Sequence, residues 1–446
     1  MLVTRQTLED REAQTLSPYA TLSRASLGRL HPEPESVSRT AFQKDRDRVL
    51  HTEAFRRLEY KTQVFLNTQS DHYRTRLTHT LEVAQVARTA ALALGLNETL
   101  AETIALAHDL GHTPFGHAGQ DALDERLRQV DPDTSGFEHN FQSLRVVDVL
   151  EERYPAFDGL NLTFESREGI LKHCSRRRAL ALEADEPGGV GSRFLDRTQP
   201  SLEAQVCNFA DEIAYNTHDI DDGVRSGLLT YEQVLELPLV FRCHTEALAA
   251  APSVQGRRLL YDTLRRMLSA LVCDLTDASA ALLAAHRPAS ADAARRGPPM
   301  IAFSNAMTVE LRQVNRFLHS ALYRHAQVVR TTEGAKAVVR GLFDAYLAEP
   351  AQMPAEHARR LPLQQAVVDY LAGMTDRFAL KEHERLTGAP LETGGGTASV
   401  RPPPLVIDPA FDFERNPRSG VSGPSVNPPS AVHASSGVEA WKRSEG

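Results

Sequence analysis

The stretch "LAHDLGHTPFGHAGQ", Leu106 to Gln120, decides how this chain is read. Its fifteen residues hold three histidines, an aspartate, three glycines and a proline. The segment leading into it, "NETLAETIALAHDLG", opens on Asn97, a strong helix N-cap, and spaces its apolar residues as a helix does until Gly111. Gly111, Pro114, Gly116 and Gly119 then break that helix and start another within a few residues, which turns His112 and His117 back over the helix end. His108 and Asp109 are neighbours, so on a helix their side chains point about 100° apart. Both reach one cation only if it lies beside their backbone, inside a bundle. A neutral imidazole with a carboxylate suits a divalent ion such as Mn²⁺, Mg²⁺, Fe²⁺ or Co²⁺.

Outward from this stretch, helical periodicity dominates. "LTHTLEVAQVARTAALALGL", "NFQSLRVVDVLEERY", "SLEAQVCNFADEIAYNTHDI" and "GRRLLYDTLRRMLSALVCDL" all carry it. Alternating strand patterns are few, and there is no β-α-β rhythm or internal repeat. The fold class is therefore all-α, a multi-helix bundle with room for one small hairpin. "EADEPGGVGSRFLDRTQP", Glu183 to Pro200, reads as a Gly/Pro-rich loop between helices. From Thr387 onward, nine of the chain's 25 prolines fall among Gly and Ser clusters, too poor in apolar residues to order themselves. The expected organisation is a partly ordered segment over 1–40 and a folded domain over 41–386, its core at about 70–225 followed by a helical C-terminal extension. A disordered tail over 387–446 completes it.

The 446 residues, 41% hydrophobic and 24% charged, are enough for a sizeable core. No apolar run approaches the roughly 18 residues of a membrane span, and the polar start "MLVTRQTLEDREAQ" lacks the apolar centre of a secretory signal. Cys174, Cys207, Cys243 and Cys273 lie far apart without a CxxC pair, as free thiols in a cytoplasm do, and give no cysteine zinc site. The expectation is a cytoplasmic protein with no membrane partner. A net charge of −8 argues against a general polyanion-binding surface, although Lys44 to Arg76 holds eight basic against five acidic residues and leaves room for a local basic pocket. Nucleic-acid contact stays open on this evidence.

Two donors are too few to hold a metal. His79, in "TRLTHTLEV", and Asp211, mid-helix among apolar residues in "NFADEIAYN", bring the set to four donors from three helices. A buried carboxylate needs such a partner, because an unpaired one is costly. Singly, each has an ordinary explanation: a helix-end pair, a satisfied core histidine, an acid facing an arginine. In this order and spacing they point to a metal site.

The H…HD…D pattern resembles the HD-domain metal-dependent phosphohydrolases. Within them the chain is similar to the bacterial deoxyguanosinetriphosphate triphosphohydrolase-like family. The matching stretches are "RDRVLHTEAFRRLEYKTQVF", "RTRLTHTLEV", "HDLGHTPFGHAG", "GFEHNFQSLR", "EAQVCNFADEIAYNTHDIDDG" and "AGMTDRFA", in family order over about 41–386. The resemblance implies hydrolysis of a deoxynucleoside triphosphate (dNTP) to deoxynucleoside and inorganic triphosphate, by water attack on the α-phosphorus with a histidine as general acid. It implies one divalent ion, Mn²⁺, Mg²⁺ or another transition metal, held by His79, His108, Asp109 and Asp211. His117 is then the candidate acid, and His112 shares that role or binds phosphate. His139 and Arg76 face phosphate, and Gln63 lies near the base or sugar edge. Tyr215 and Asp219, one and two turns beyond Asp211 on the same helix face, read the deoxyribose.

The family writes "GHAGE" where this chain has Gln120. Glutamine keeps the size and the hydrogen bonding but cannot accept a proton. Catalysis is therefore expected to be slower, or to lean on Glu138 or Asp121, unless the acid only orients His117. The family also implies a homo-oligomer, hexamers among them, and a dNTP activator at a second site. Two other readings remain. One is an HD phosphodiesterase or phosphatase on another nucleotide, which the Asp211–Tyr215–Asp219 face speaks against. The other is a catalytically weak dNTP-binding scaffold, which Gln120 favours.

Overall fold

The computed structural model describes residues 2–63 and 74–388. The chain folds as an all-helical bundle. Among the described residues there is no strand, only isolated bridges such as Thr62 with Thr75, so the small hairpin does not form there. The expected disordered tail, beyond Gly388, lies outside the described residues, and so does the end of "YKTQVF" after Gln63.

Eleven helices position the site: α1 (Ala41–Leu50), α2 (Arg76–Ala93), α3 (Glu98–Ala107), α4 (His117–Val130), α5 (His139–Arg145), α6 (Leu202–Arg225), α7 (Gly256–His286), α8 (Asn305–Phe317), α9 (Ala326–Ala348), α10 (Leu363–Ala372) and α11 (Asp376–Thr387). Their starts follow cap chemistry. Asn97 accepts from Thr99 N and Leu100 N at the head of α3. Thr75 forms a capping box with Thr78 on α2, and Ser201 and Thr375 cap α6 and α11. The predicted loop over 183–200 is more regular than its composition suggests. Arg176–Asp185 and Ser192–Asp196 are helical, because Val190 and Arg193 are buried and anchor the turn between them.

α3 sits at the centre, buried on every side, with α1, α2 and α6 packed around it. Ala101, Ala105 and Ala107 keep it thin enough for that approach. The apolar interior falls into two clusters. The first holds Val83, Ala87, Leu100, Ile104, Val206 and Ala210, and extends through α7 and α8. The second holds Phe115, Leu123 and Leu127 with Val338, Phe343 and Leu371, so α4 packs on α9 and α10 rather than into the first cluster.

α7 departs from expectation. This 31-residue helix contains an 18-residue window of mean hydropathy 1.5, long and apolar enough by length and composition to cross a membrane. Two aspartates, Asp274 and Asp277, break the window, so it does not read as a continuous apolar run. Leu259, Met267, Leu271 and Leu275 are buried in the first cluster, and Asp274 accepts from Ser304 N and Oγ at 2.9 and 2.6 Å.

Gly111 is one of two glycines in the site region, with Gly119, that face another backbone at the closest range. A Cβ at Gly111 would lie 2.1 Å from Ser143 N and 2.6 Å from His139 O, both backbone atoms of α5 that cannot swing aside. Gly111→Ala is expected to cost about 1–3 kcal/mol, read as a lower urea midpoint at unchanged slope.

Candidate active site

Four of the predicted residues converge. His79 Nε2 lies 3.0 Å from Asp211 Oδ1, and His108 Nε2 lies 3.3 Å from Asp109 Oδ1 and 3.7 Å from Asp211 Oδ1. Donors about 2.1 Å from an octahedral ion sit about 3.0 Å apart when adjacent, so these groups are close enough to share a cation, while His79 and Asp211 also hydrogen-bond directly. The protonation pattern agrees. His108 Nδ1 donates to Ala105 O at 2.6 Å, which leaves Nε2 with its lone pair free, buried and without a hydrogen-bond partner. His79, His108 and Asp109 form one group able to hold a metal ion.

The second oxygen of each carboxylate goes to a protein cation. Arg76 Nη1 donates to Asp109 Oδ2 at 2.7 Å, and Lys172 Nζ donates to Asp211 Oδ2 at 2.6 Å. Burial alone would raise both acids. Lys172 and the facing histidines instead hold Asp211 well below the usual carboxylate range, and His108 and Arg76 do the same for Asp109. Arg76 was expected on phosphate; its guanidinium is buried and already fixed beside a ligand. Lys172, in "GILKH", is a residue that sequence reasoning missed, for a lysine 39 positions from Asp211 leaves no local spacing to read.

α3 stops at Ala107, earlier than Gly111, because Ser143 of α5 takes over the hydrogen bonds there. Its hydroxyl donates to His108 O at 2.9 Å and accepts from Gly111 N at 2.9 Å. The loop then turns through Phe115 (φ 63°) and Gly116 (φ 60°) into α4. A left-handed phenylalanine is strained by about 1–2 kcal/mol and persists only where neighbours hold it. Asp376 Oδ1 accepts from Phe115 N at 2.9 Å, and Thr113 Oγ1 donates to Gly116 O at 2.8 Å. Lys61, whose role was open, is wholly buried and donates to His112 O at 2.5 Å and Ala372 O at 2.8 Å. Burial pushes its ammonium down to about 7.

The turn gathers the other three histidines. His112 and His139 stack with ring centroids 4.3 Å apart, and His117 meets His112 edge-on at 5.4 Å. Burial, with Arg76 next, keeps His112 neutral by driving its pKa well below the ordinary value, and burial does the same for His139. His117 is exposed at the head of α4.

Gln120 reaches His139. Its Oε1 accepts from His139 N at 3.2 Å and meets His139 Nδ1 at 2.8 Å. The backbone N–H can only donate, so it fixes the amide orientation. Nδ1 must then carry the ring proton, and the Nε2 lone pair points away from Gln120. The partner of the missing family acid is therefore His139.

Tyr215 and Asp219 follow Asp211 down α6 and meet α8 and the segment after it. Tyr215 Oη donates to Asn315 Oδ1 at 3.1 Å, and Tyr323 Oη donates to Asp219 Oδ2. Burial raises Asp219 to about 7. Asn315 and Tyr323 were not anticipated, being about 100 residues away in sequence. Gln63 has a buried Oε1 with no hydrogen-bond partner among the described residues, and its backbone carbonyl approaches Gly116. One further neighbour is Cys207, a turn before Asp211. Its buried thiol donates to Ala101 O at 3.1 Å, and burial pushes it far up.

Comparisons with known proteins agree with this arrangement. The HD domain family matches residues 76–216, and the phosphohydrolase-associated domain matches residues 301–385. The chain is 56% identical over 373 residues to a deoxyguanosinetriphosphate triphosphohydrolase-like protein of Bordetella pertussis, covering 83% of this chain and 96% of that one. It is 55% identical to one from Ralstonia nicotianae (83% and 94%) and 50% identical to one from Nitrosomonas europaea (83% and 97%), both so named.

Two outcomes follow from the geometry. Asp211→Asn and His108→Ala should each weaken Mn²⁺ binding by more than the about 10-fold that losing an outer partner costs, measured by calorimetry. Gln120→Glu places a negative charge on His139 Nδ1–H and favours the imidazolium. His139 should then protonate at a higher pH in a histidine NMR titration of the metal-free protein. An unmoved midpoint would contradict the assigned contact.

Proposed function

The chain belongs to the deoxyguanosinetriphosphate triphosphohydrolase-like family of HD-domain proteins, and from that premise we propose that it hydrolyses deoxynucleoside triphosphates to deoxynucleoside and inorganic triphosphate. The observation that carries this reading is the meeting of two groups at one carboxylate: His79, His108 and Asp109 with Asp211 beside them, and three stacked or edge-on histidines of which His112 and His139 border the same Asp109.

His79, His108, Asp109 and Asp211 would hold one divalent ion, which when bound supplies positive charge against the α-phosphate. Arg76 and Lys172 add fixed positive charge beside both carboxylates and orient phosphate oxygens. His139, with its lone pair on Nε2, accepts a hydrogen bond from the attacking water. His117, exposed at the head of α4, gives a proton to the departing 5′-oxygen, a poor leaving group without it. His112 stays neutral and steadies the stack. Tyr215 sets its ring against the deoxyribose and Asp219 takes the 3′-hydroxyl, which disfavours a ribose by contact. Gln63 borders the base or sugar edge. The reading places the protein in the cytoplasm as a homo-oligomer, on the hexameric pattern, with a second dNTP as activator.

Purified protein with Mn²⁺ and each dNTP in turn is expected to release inorganic triphosphate and deoxynucleoside. Pyrophosphate or monophosphate as product would instead support an HD phosphodiesterase or phosphatase, and binding without product would support a scaffold. His117→Ala should lower kcat by about 10²–10⁴-fold while leaving Mn²⁺ affinity unchanged.

A further inference from the structure

The site draws on both apolar clusters, and α5, which carries His139, packs Leu144 into the first. His79, His108 and Asp211 belong to α2, to the cap of α3 and to α6, whose apolar faces fill the first cluster. His117 heads α4, and Phe115 precedes it; both Phe115 and the apolar face of α4 fill the second cluster with α9 and α10. The phosphohydrolase-associated segment, residues 301–385, supplies the far side of that second cluster.

Polar contacts from the same segment fasten the histidine half. Asp376, 1% exposed, gives one carboxylate oxygen to Phe115 N and the other to Thr62 N at 3.0 Å and to Thr62 Oγ1. All three donors sit on segments that frame the loop. Lys61 ties His112 O to Ala372 O across the same gap, and Arg57 Nη1 donates to Gly373 O at 3.2 Å. Asp369, 4% exposed, grips α5 two turns from His139 through Arg145 (2.8 and 2.6 Å) and through Gln142 at 3.0 Å. No hydrogen bond among those described runs from Asp369 or Asp376 to a metal-cage residue. The left-handed Phe115 needs an acceptor for its N–H inside the protein, and among the described residues Asp376 supplies it.

We propose that Asp376 is a positioning residue of the active site, holding Phe115 in its left-handed turn so that His112 and His117 face the cage, while the cage itself is assembled by the first cluster alone. The C-terminal segment thereby completes the proton-handling half of the site from about 260 residues away. This rests on the phosphohydrolase reading above for its kinetic consequence, but not for its structural one.

The test uses the full chain. Asp376→Asn keeps the volume and replaces one acceptor with a donor that faces an N–H. Its kcat for dNTP hydrolysis with Mn²⁺ should fall about 10- to 100-fold, with KM and Mn²⁺ affinity within about threefold of the parent. Backbone hydrogen exchange over 111–119 should quicken, and exchange over 100–107 should not. Glu382→Gln serves as control: Glu382 accepts from Tyr346 Oη at 2.7 Å in the second cluster without touching the loop, so it should lower Tm and spare kcat. If Asp376→Asn is insoluble, Asp376→Ala, which removes the acceptor of Phe115 N without adding a donor, is read the same way. Parental kcat with unchanged exchange over 111–119 overturns the proposal. So does a loss of Mn²⁺ affinity in step with kcat, or an equal loss of kcat in Glu382→Gln. If the parent protein hydrolyses no dNTP, the functional reading fails, and the exchange and Mn²⁺ results alone decide the proposal.

Discussion

Two carboxylates, Asp109 buried and Asp211 part-buried, set the terms for everything around them. They face each other across His108, and two negative charges held so near the interior need compensation. Arg76 and Lys172 provide it, one to each acid, and leave the inner oxygens turned toward His79 and His108. The four charged groups sum to zero. A divalent ion in the cage leaves the site doubly positive, which suits a triphosphate far better than a neutral substrate. Burial is what chiefly keeps His112 and His139 neutral; Arg76 adds to it at both rings, while Asp109 works the other way at His139.

The neutral state has a use beyond electrostatics. Two protonated imidazoles would repel each other 4.3 Å apart, so burial that disfavours the charged forms also favours the His112–His139 stack. Gln120 then decides which nitrogen of His139 is free. Glutamine can accept from both His139 N and Nδ1–H but carries no charge to favour the imidazolium.

Much of the centre was legible in the sequence because it is carried by local punctuation. Asn97, Gly111, Pro114 and Gly116 mark where a helix must end and another begin, and His108, Asp109, His112 and His117 are pinned to those marks. Asp211, Tyr215 and Asp219 share one face of α6 by helical spacing alone. What could not be read was every contact made across the fold. Lys172 meets Asp211, Tyr323 meets Asp219 and Asp376 meets Phe115 through tertiary packing, which leaves no periodic trace. The early end of α3 belongs with these, since the hydroxyl of Ser143 takes over bonds that another turn of helix would have used. The contact of Gln120 with His139 is another of them, since nothing in the spacing joins two residues 19 positions apart on different helices. α7 shows the limit of counting apolar runs: two aspartates hide a stretch whose composition is that of a membrane span.

The thiol of Cys207 lies on α6 one turn before Asp211, close enough in sequence to be mistaken for a fifth ligand. Its proton is committed to Ala101 O, and burial makes the thiolate inaccessible at any ordinary pH. The cage thus offers nitrogen and oxygen only. Copper(I) and other soft ions find no sulfur to prefer, and discrimination among the harder divalent ions passes from affinity to coordination number and to whichever metal the surroundings keep in supply.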